Sequence, residues 1–195
     1  FAAMDLLEAR IDAGIAEAWS GLDGKTATSS RDAELVSRDP FVATYGEVAP
    51  SGARVLFDAM NLGSGTIFAD LGSGGGRLAA QAYDETRVAS CFAVEFWESR
   101  HARAVEGWSR LCRKSGPLLR EDFDAGGVEF VCANVLDVSL EGVTHAFVSN
   151  YCFDDETNDA IARRLLESSC SVVAASRPLP ALSSEADRRI LVDMS

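Results

Sequence analysis

The sequence predicts an α/β domain, a mostly parallel sheet covered by helices on both faces, with a helical addition at the N-terminus. Three observations predict it. Short apolar runs near residues 67, 90, 130, 146 and 172 alternate with stretches of helical periodicity. The first of these runs enters a glycine-rich turn that opens a helix. The residues before Thr66 hold helix-like segments without strand partners, so they read as an addition packed against or over the ligand edge.

The elements follow in order. Met4, Leu7, Ile11, Ile15 and Ala18 recur at helical spacing over Ala2 to Trp19, and Gly21 and Gly24 end the helix. Lys25 to Asp39 is polar and reads as a loop or short helix. An apolar and aromatic patch runs from Phe41 to Glu47. A short helix over 52–60 carries Val55, Leu56 and Met60, and is broken by Asn61 and Gly63. Ile67 to Asp70 is a strand, Arg77 to about Tyr83 a helix, and Ser90 to Val94 a second strand ending at Glu95. Trp97, His101, Ala104, Val105, Trp108, Leu111 and Cys112 mark one face of a long helix that ends near Ser115-Gly-Pro117. Phe130 to Ala133 is a third strand and Ala146 to Val148 a fourth. Asp154 or Asp155 caps a helix to about Ser168. Val172 to Ala175 is a fifth strand, closed by Arg177-Pro178. The division expected is an N-terminal helical segment with a covering loop, 1–62, and an α/β domain, 63–195.

Charge narrows the partners. Thirty acidic side chains against 18 basic ones leave a formal net charge of -12. Bulk electrostatic binding of nucleic acid needs the opposite sign, as does docking on anionic membranes. A basic protein segment suits this surface. No apolar run is long enough to cross a bilayer. The first residue is Phe1 rather than Met, as expected of a piece trimmed from a longer chain. The five cysteines (Cys91, Cys112, Cys132, Cys152 and Cys170) are odd in number and form no Cys-x-x-Cys pair. They read as reduced thiols of an intracellular protein. No Cys/His cluster has metal-ligand spacing.

The chemistry gathers at the strand tips. Glycines Gly72, Gly74 and Gly76 let the backbone turn sharply and approach a ligand. Their spacing fits neither Gly-x-Gly-x-x-Gly nor a phosphate-cradling loop ending in Gly-Lys-Ser/Thr. Asp70 at the strand tip would repel a pyrophosphate and can meet an ammonium group. That favours a cofactor with a cationic amino-acid end over a dinucleotide. Glu95, 25 residues on at the next tip, can accept both hydroxyls of a ribose. At the third tip, Asn134 reads either as a partner for the adenine amine and a ring nitrogen, with Val135 against the ring, or as a plain turn residue. At the fourth, Ser149, Asn150, Tyr151 and Phe153 read as a reaction-site wall, with core packing the competing reading of Phe153. His101 and His145 read as structural rather than as general bases.

Several of these segments together resemble the catalytic domain of Dot1-type histone lysine methyltransferases. They are Tyr45-Gly-Glu47, Asp70-Leu-Gly-Ser-Gly-Gly-Gly-Arg77, Ala93-Val-Glu95, Ala133-Asn-Val-Leu136, Phe147-Val-Ser-Asn-Tyr-Cys-Phe153 and Ala175-Ser-Arg-Pro178. They come in the family's order over roughly residues 41–178, and Tyr45-Gly-Glu47 is the most distinctive. The resemblance implies a Rossmann-like class I methyltransferase fold and S-adenosylmethionine as cofactor, with S-adenosylhomocysteine as product. It further implies transfer of a methyl group to a lysine of histone H3 by in-line displacement, in the nucleus. It places Tyr45, Gly46 and Glu47 in a loop closing over the methionine part. Asp70 and Gly72 fall at the amino-acid end, Glu95 at the ribose, Asn134 and Val135 at the adenine, and Ser73, Gly74, Arg77 and Ser149 are further cofactor-binding residues. The methyl-transfer wall falls to Ser149, Asn150, Tyr151 and Phe153, with Tyr45.

The chain departs from the family pattern at six positions. Val48 stands for Thr, Arg77 for Gln, Asn134 for Asp, Val135 for Phe, Ser149 for Asn and Tyr151 for Phe. Family members also continue through a sixth and seventh strand, expected here to be missing or curtailed. Two other readings follow from the departures: a class I methyltransferase acting on a non-histone or small-molecule substrate, and a degenerate cofactor-binding interaction module.

Overall fold

The computed structural model describes residues 2–22, 29–38, 46–115, 124, 127–182 and 190–193. The helices are α1 (Ala2–Ala18), α2 (Ser30–Arg38), α3 (Pro50–Ala59), α4 (Arg77–Glu85), α5 (Glu98–Ser115) and α6 (Asp155–Glu167). The strands are β1 (Ile67–Leu71), β2 (Ser90–Glu95), β3 (Val128–Cys132), β4 (His145–Val148), β5 (Val172–Ala175) and β6 (Ile190–Asp193). They form one sheet in the order β3-β2-β1-β4-β5-β6, and every pairing among the described residues is parallel. This is a doubly wound, Rossmann-like arrangement.

The chain builds outward from β1 to β2 and β3, then returns to place β4 on β1's other side. The order therefore reverses between β1 and β4. In open α/β sheets the crevice at the carboxyl ends beside such a reversal is where ligands bind.

Alternation along the strands sorts side chains onto two cores. Phe68, Cys91, Ala93 and Phe147 join α1, α3, α4 and α5 on one face. Ala69, Leu71, Val94 and Val148 join Ile161, Ala162 and Leu165 of α6 on the other. Asp70 and Glu95 fall in phase with the first set, so both carboxyls share the face of the glycine turn.

The structure refines several expectations. A short helix, α2, forms within the polar stretch. The third strand is Val128–Cys132, two residues earlier than expected at its start. A sixth strand is present: Ile190 pairs with Val172 and extends the sheet beyond β5. Asp154 is the cap of α6, its carboxylate accepting from the Thr157 amide at 2.7 Å. Met4, Val55 and Val105, expected on apolar faces, are exposed. Met4 shares the stripe's phase but lies in the first turn of α1, Val55 lies on the side of α3 away from Ala53 and Met60, and Val105 lies at the margin of the α5 stripe. The Arg54 guanidinium joins α1 to α3 and α4 through Asp12 (2.6 Å) and Glu85 (2.5 Å). None of the described helices is long and apolar enough to cross a membrane.

Candidate active site at the strand tips

The glycine turn is fixed atom by atom. Gly72 and Ser73 both donate their amides to the Val94 carbonyl at 2.9 Å, joining the tip of β1 to that of β2. Gly72, Gly74 and Gly76 all have positive φ, the region L side chains rarely adopt. Gly76 also has no room. A Cβ there would lie 2.5 Å from Phe130 and 2.6 Å from Ala104, so α4 starts close against β3 and α5. A Cβ on Gly72 would meet the Ser149 carbonyl at 3.2 Å and the Phe153 ring at 3.4 Å. The turn thus faces the fourth strand tip across the reversal point.

Two carboxyls define the electrostatics. Glu95 is 5% exposed; its Oε2 accepts from the Gly74 amide at 2.7 Å and its Oε1 from the Trp97 amide at 2.8 Å. Burial raises its pKa, against the opposing pull of those amides and of Arg100. A carboxylate has about four acceptor sites, so two amides leave capacity for ribose hydroxyls. Asp70 is 2% exposed, and its Oδ2 has no hydrogen-bond partner among the described residues. Burial, and next the charge of Glu95, push its pKa up to about 7. An isolated buried carboxylate is costly unless a cation or donor meets it. Ser73 Oγ and Arg77 Nε are likewise buried without a partner among the described residues. Three unanswered polar atoms between the tip of β1 and the start of α4 mark a place suited to a polar ligand.

The remaining expected residues are placed differently from one another. Tyr45 lies outside the described residues. Gly46 is exposed, and Glu47 pairs with Arg77 at 2.7 Å, tying that segment to the first residue of α4. Asn134 is exposed and forms a turn, its side-chain Oδ1 accepting from the Leu136 amide at 2.9 Å. Val135 is 8% exposed and packs into the α6-side core, so it offers almost no free face to a ring. Ser149 is half-buried, its amide bonded to the Leu71 carbonyl. Asn150 is 0% exposed and its side chain is committed inward. It donates to Asn158 Oδ1 (2.8 Å) and the Arg177 carbonyl (3.1 Å), and accepts from the Arg177 amide (2.8 Å). Asn150 therefore clamps the wall rather than lining it. Phe153 packs on the core, and its ring lies against Gly72. Tyr151 is 63% exposed, at the rim.

Sequence reasoning missed three supports. Asn158 and Arg177 both donate to the Phe153 carbonyl, at 3.2 and 2.9 Å, holding the β4–α6 loop. Asp32 on α2 is fully buried and accepts from the Glu98 and Ser99 amides and the Ser99 hydroxyl, capping α5. Trp19, just past α1, donates its indole N–H to the Gly75 carbonyl at 2.6 Å. The signal for Arg177 was its position after a strand tip. The other two reach 56 or more residues along the chain and leave no local trace. His101 and His145 are half-buried, and burial lowers the pKa of both. Neither joins the carboxyl pair.

A parallel sheet with a glycine turn at its reversal point and acids on two neighbouring strand tips defines a class I methyltransferase domain. Residues 27–189 match the family described as histone methylation protein DOT1, and the chain belongs to that family. No curated protein matches it in sequence. Among solved structures it is similar to an RNA methyltransferase from Salinibacter ruber in complex with S-adenosyl-L-homocysteine. That likeness has a TM-score of 0.51 at 15% identity, covering 63% of this chain and 70% of the other. It is also similar to a putative RNA methyltransferase from Pyrococcus horikoshii, at 0.52 and 15%, over 80% of this chain and 69% of the other. A putative S-adenosyl-L-methionine-dependent methyltransferase from Methanococcus maripaludis gives 0.51 and 13%, over 80% and 65%. At these identities the likeness concerns the fold.

Family and fold make S-adenosylmethionine the cofactor, and the residues present fit it. Asp70 offers an unanswered buried carboxyl to an α-ammonium. Gly72 permits close backbone approach, and Glu95 keeps acceptor capacity for hydroxyls.

Proposed function

We propose that the chain transfers a methyl group from S-adenosylmethionine to a lysine of a basic protein, histone H3 by its family, and acts in the nucleus. The observation that carries the cofactor half is the buried, unpartnered Asp70 Oδ2 beside Glu95. What supports a protein substrate is family membership together with charge. Asp154, Asp155, Glu156 and Asp159 begin α6 beside the exposed Tyr151, at the rim of the fourth strand tip. A net charge of -12 attracts a cationic tail and repels RNA, the substrate class of two of the structural neighbours.

When bound, the cofactor supplies an activated methyl group on a sulfonium, so neither a metal nor a protein nucleophile is needed. The chain's own work is placement. Asp70 holds the amino-acid end and Glu95 the ribose. The glycine turn sets the depth of the ligand. Phe153, held by Asn158 and Arg177, forms a rigid apolar wall that helps align an incoming amine. A lysine with a solution pKa of about 10.4 must lose its proton before attack. Apolar surroundings favour the neutral amine by desolvation, its proton passing to solvent beforehand; as the methyl moves from sulfur to nitrogen the thioether leaves neutral, and the exposed Tyr151 ring can attract the positive charge that arrives on the methylated amine.

The test is incubation of the chain with methyl-labelled S-adenosylmethionine and nucleosomes or free histones. The reading expects label on a histone H3 lysine. Cofactor binding with no label on either substrate would overturn the acceptor assignment. Independently, Glu95→Gln should weaken S-adenosylhomocysteine binding by about 1.5–3 kcal/mol, since one charge-assisted acceptor is lost. Calorimetry reads this directly, and unchanged affinity would refute the role.

A further inference from the structure

We infer that Trp19 is a positioning residue for the cofactor, holding the glycine turn in its binding shape from the N-terminal helix. The Gly75–Gly76 peptide is fixed at both ends. Its carbonyl accepts from the Trp19 indole at 2.6 Å, and its N–H donates to the Ser73 carbonyl at 2.9 Å. One residue earlier, the Gly74 amide is held by Glu95 at 2.7 Å. Glycines otherwise leave a turn free to rotate between several peptide orientations. Here the rotation is blocked by a bond from Glu95 at the end of β2 and a bond from Trp19 just past α1, on consecutive residues.

The indole is itself seated with little freedom. Trp19 is 2% exposed, and its ring fills the space beside Gly107 of α5, where a Cβ would lie 2.3 Å from it. Arg110, one turn further along α5, donates to the Ser20 carbonyl at 3.0 Å, latching the end of α1 on the same helix. A buried indole N–H needs an acceptor, and the acceptor here is a carbonyl of the ligand-binding turn itself. Trp19 therefore acts through the turn: it raises the fraction of molecules whose glycine amides and Asp70 are ready for the ligand. Apparent affinity falls in proportion when that fraction drops.

The test uses the whole chain and S-adenosylhomocysteine as probe. Trp19→Phe keeps an aromatic ring in the socket and removes the N–H. The expected result is about five- to tenfold weaker binding by calorimetry. In the wild-type chain, the backbone-assigned Trp19 indole N–H resonance should shift when the ligand saturates the protein. Unchanged affinity in Trp19→Phe, or an indole resonance that stays put at saturation, overturns the inference and leaves Trp19 as packing. If the variant does not fold, the wild-type resonance alone decides.

Discussion

Asp70 is held in a conflict that a ligand would resolve. Without one, its carboxyl is buried beside Glu95 and takes a proton near pH 7. Because its folded-state pKa lies above the unfolded value, the folded chain binds the extra proton between about pH 4 and 7. The stability tied to that proton is full below the unfolded value and is lost as pH rises through about 7. A cationic ligand reverses the preference, so S-adenosylhomocysteine should bind more weakly at pH 6 than at pH 8. Binding near pH 7 should release a proton, read from calorimetry in buffers of different ionisation enthalpy. Asp70→Asn should bind more weakly at pH 8, lose most of the pH dependence, and melt higher than wild type in the absence of ligand. A variant with wild-type affinity and an unchanged pH profile would remove Asp70 from the site. The residue types and their strand-tip positions were readable from the sequence. The burial that perturbs them was not, because it comes from helices distant along the chain.

The N-terminus of α5 shows the same limit at the level of an element. Its first amides are answered by two buried carboxylates, Glu95 for Trp97 and Asp32 for Glu98 and Ser99. Negative charge is favourable at that end of a helix. Burial pulls the Asp32 pKa upward, but donation from Ser99, Glu98 and Ser29 outweighs it, leaving the pKa below the usual value. The stability it contributes is therefore present at neutral pH and is lost only as pH falls through that lowered value. Asp32→Ala should destabilise the chain by about 2 kcal/mol. Breaking the exposed Arg31–Glu98 pair with Glu98→Ala should change stability by less than about 1 kcal/mol. Urea midpoints compare the two, and equal midpoints would deny Asp32 its capping role. Periodicity revealed that α5 exists. It could not show which carboxylate caps it, since Asp32 sits in a polar stretch that reads equally well as a loop. Val135 shows a related limit: a strand-tip position suggests a ligand contact, and only the fold shows that the side chain is mostly buried in the core shared with α6.

Across the whole molecule, the strand and helix alternation was legible because parallel strands buried on both faces are short apolar runs. The sixth strand was not expected. The three N-terminal helices read as an addition, yet α1, α3 and α4 share one core, and α1 reaches the glycine turn. Gly107→Ala probes that integration: the new Cβ would collide with the indole, so about 1–3 kcal/mol of stability should be lost, with weaker ligand binding. Unchanged unfolding and binding would mean that α1 tolerates displacement from α5. The position of the bound cofactor tests the site most directly. A crystal structure with S-adenosylhomocysteine should show its α-ammonium within hydrogen-bond distance of Asp70 and its ribose hydroxyls on Glu95. A ligand bound elsewhere, or one that leaves both carboxyls untouched, would contradict it.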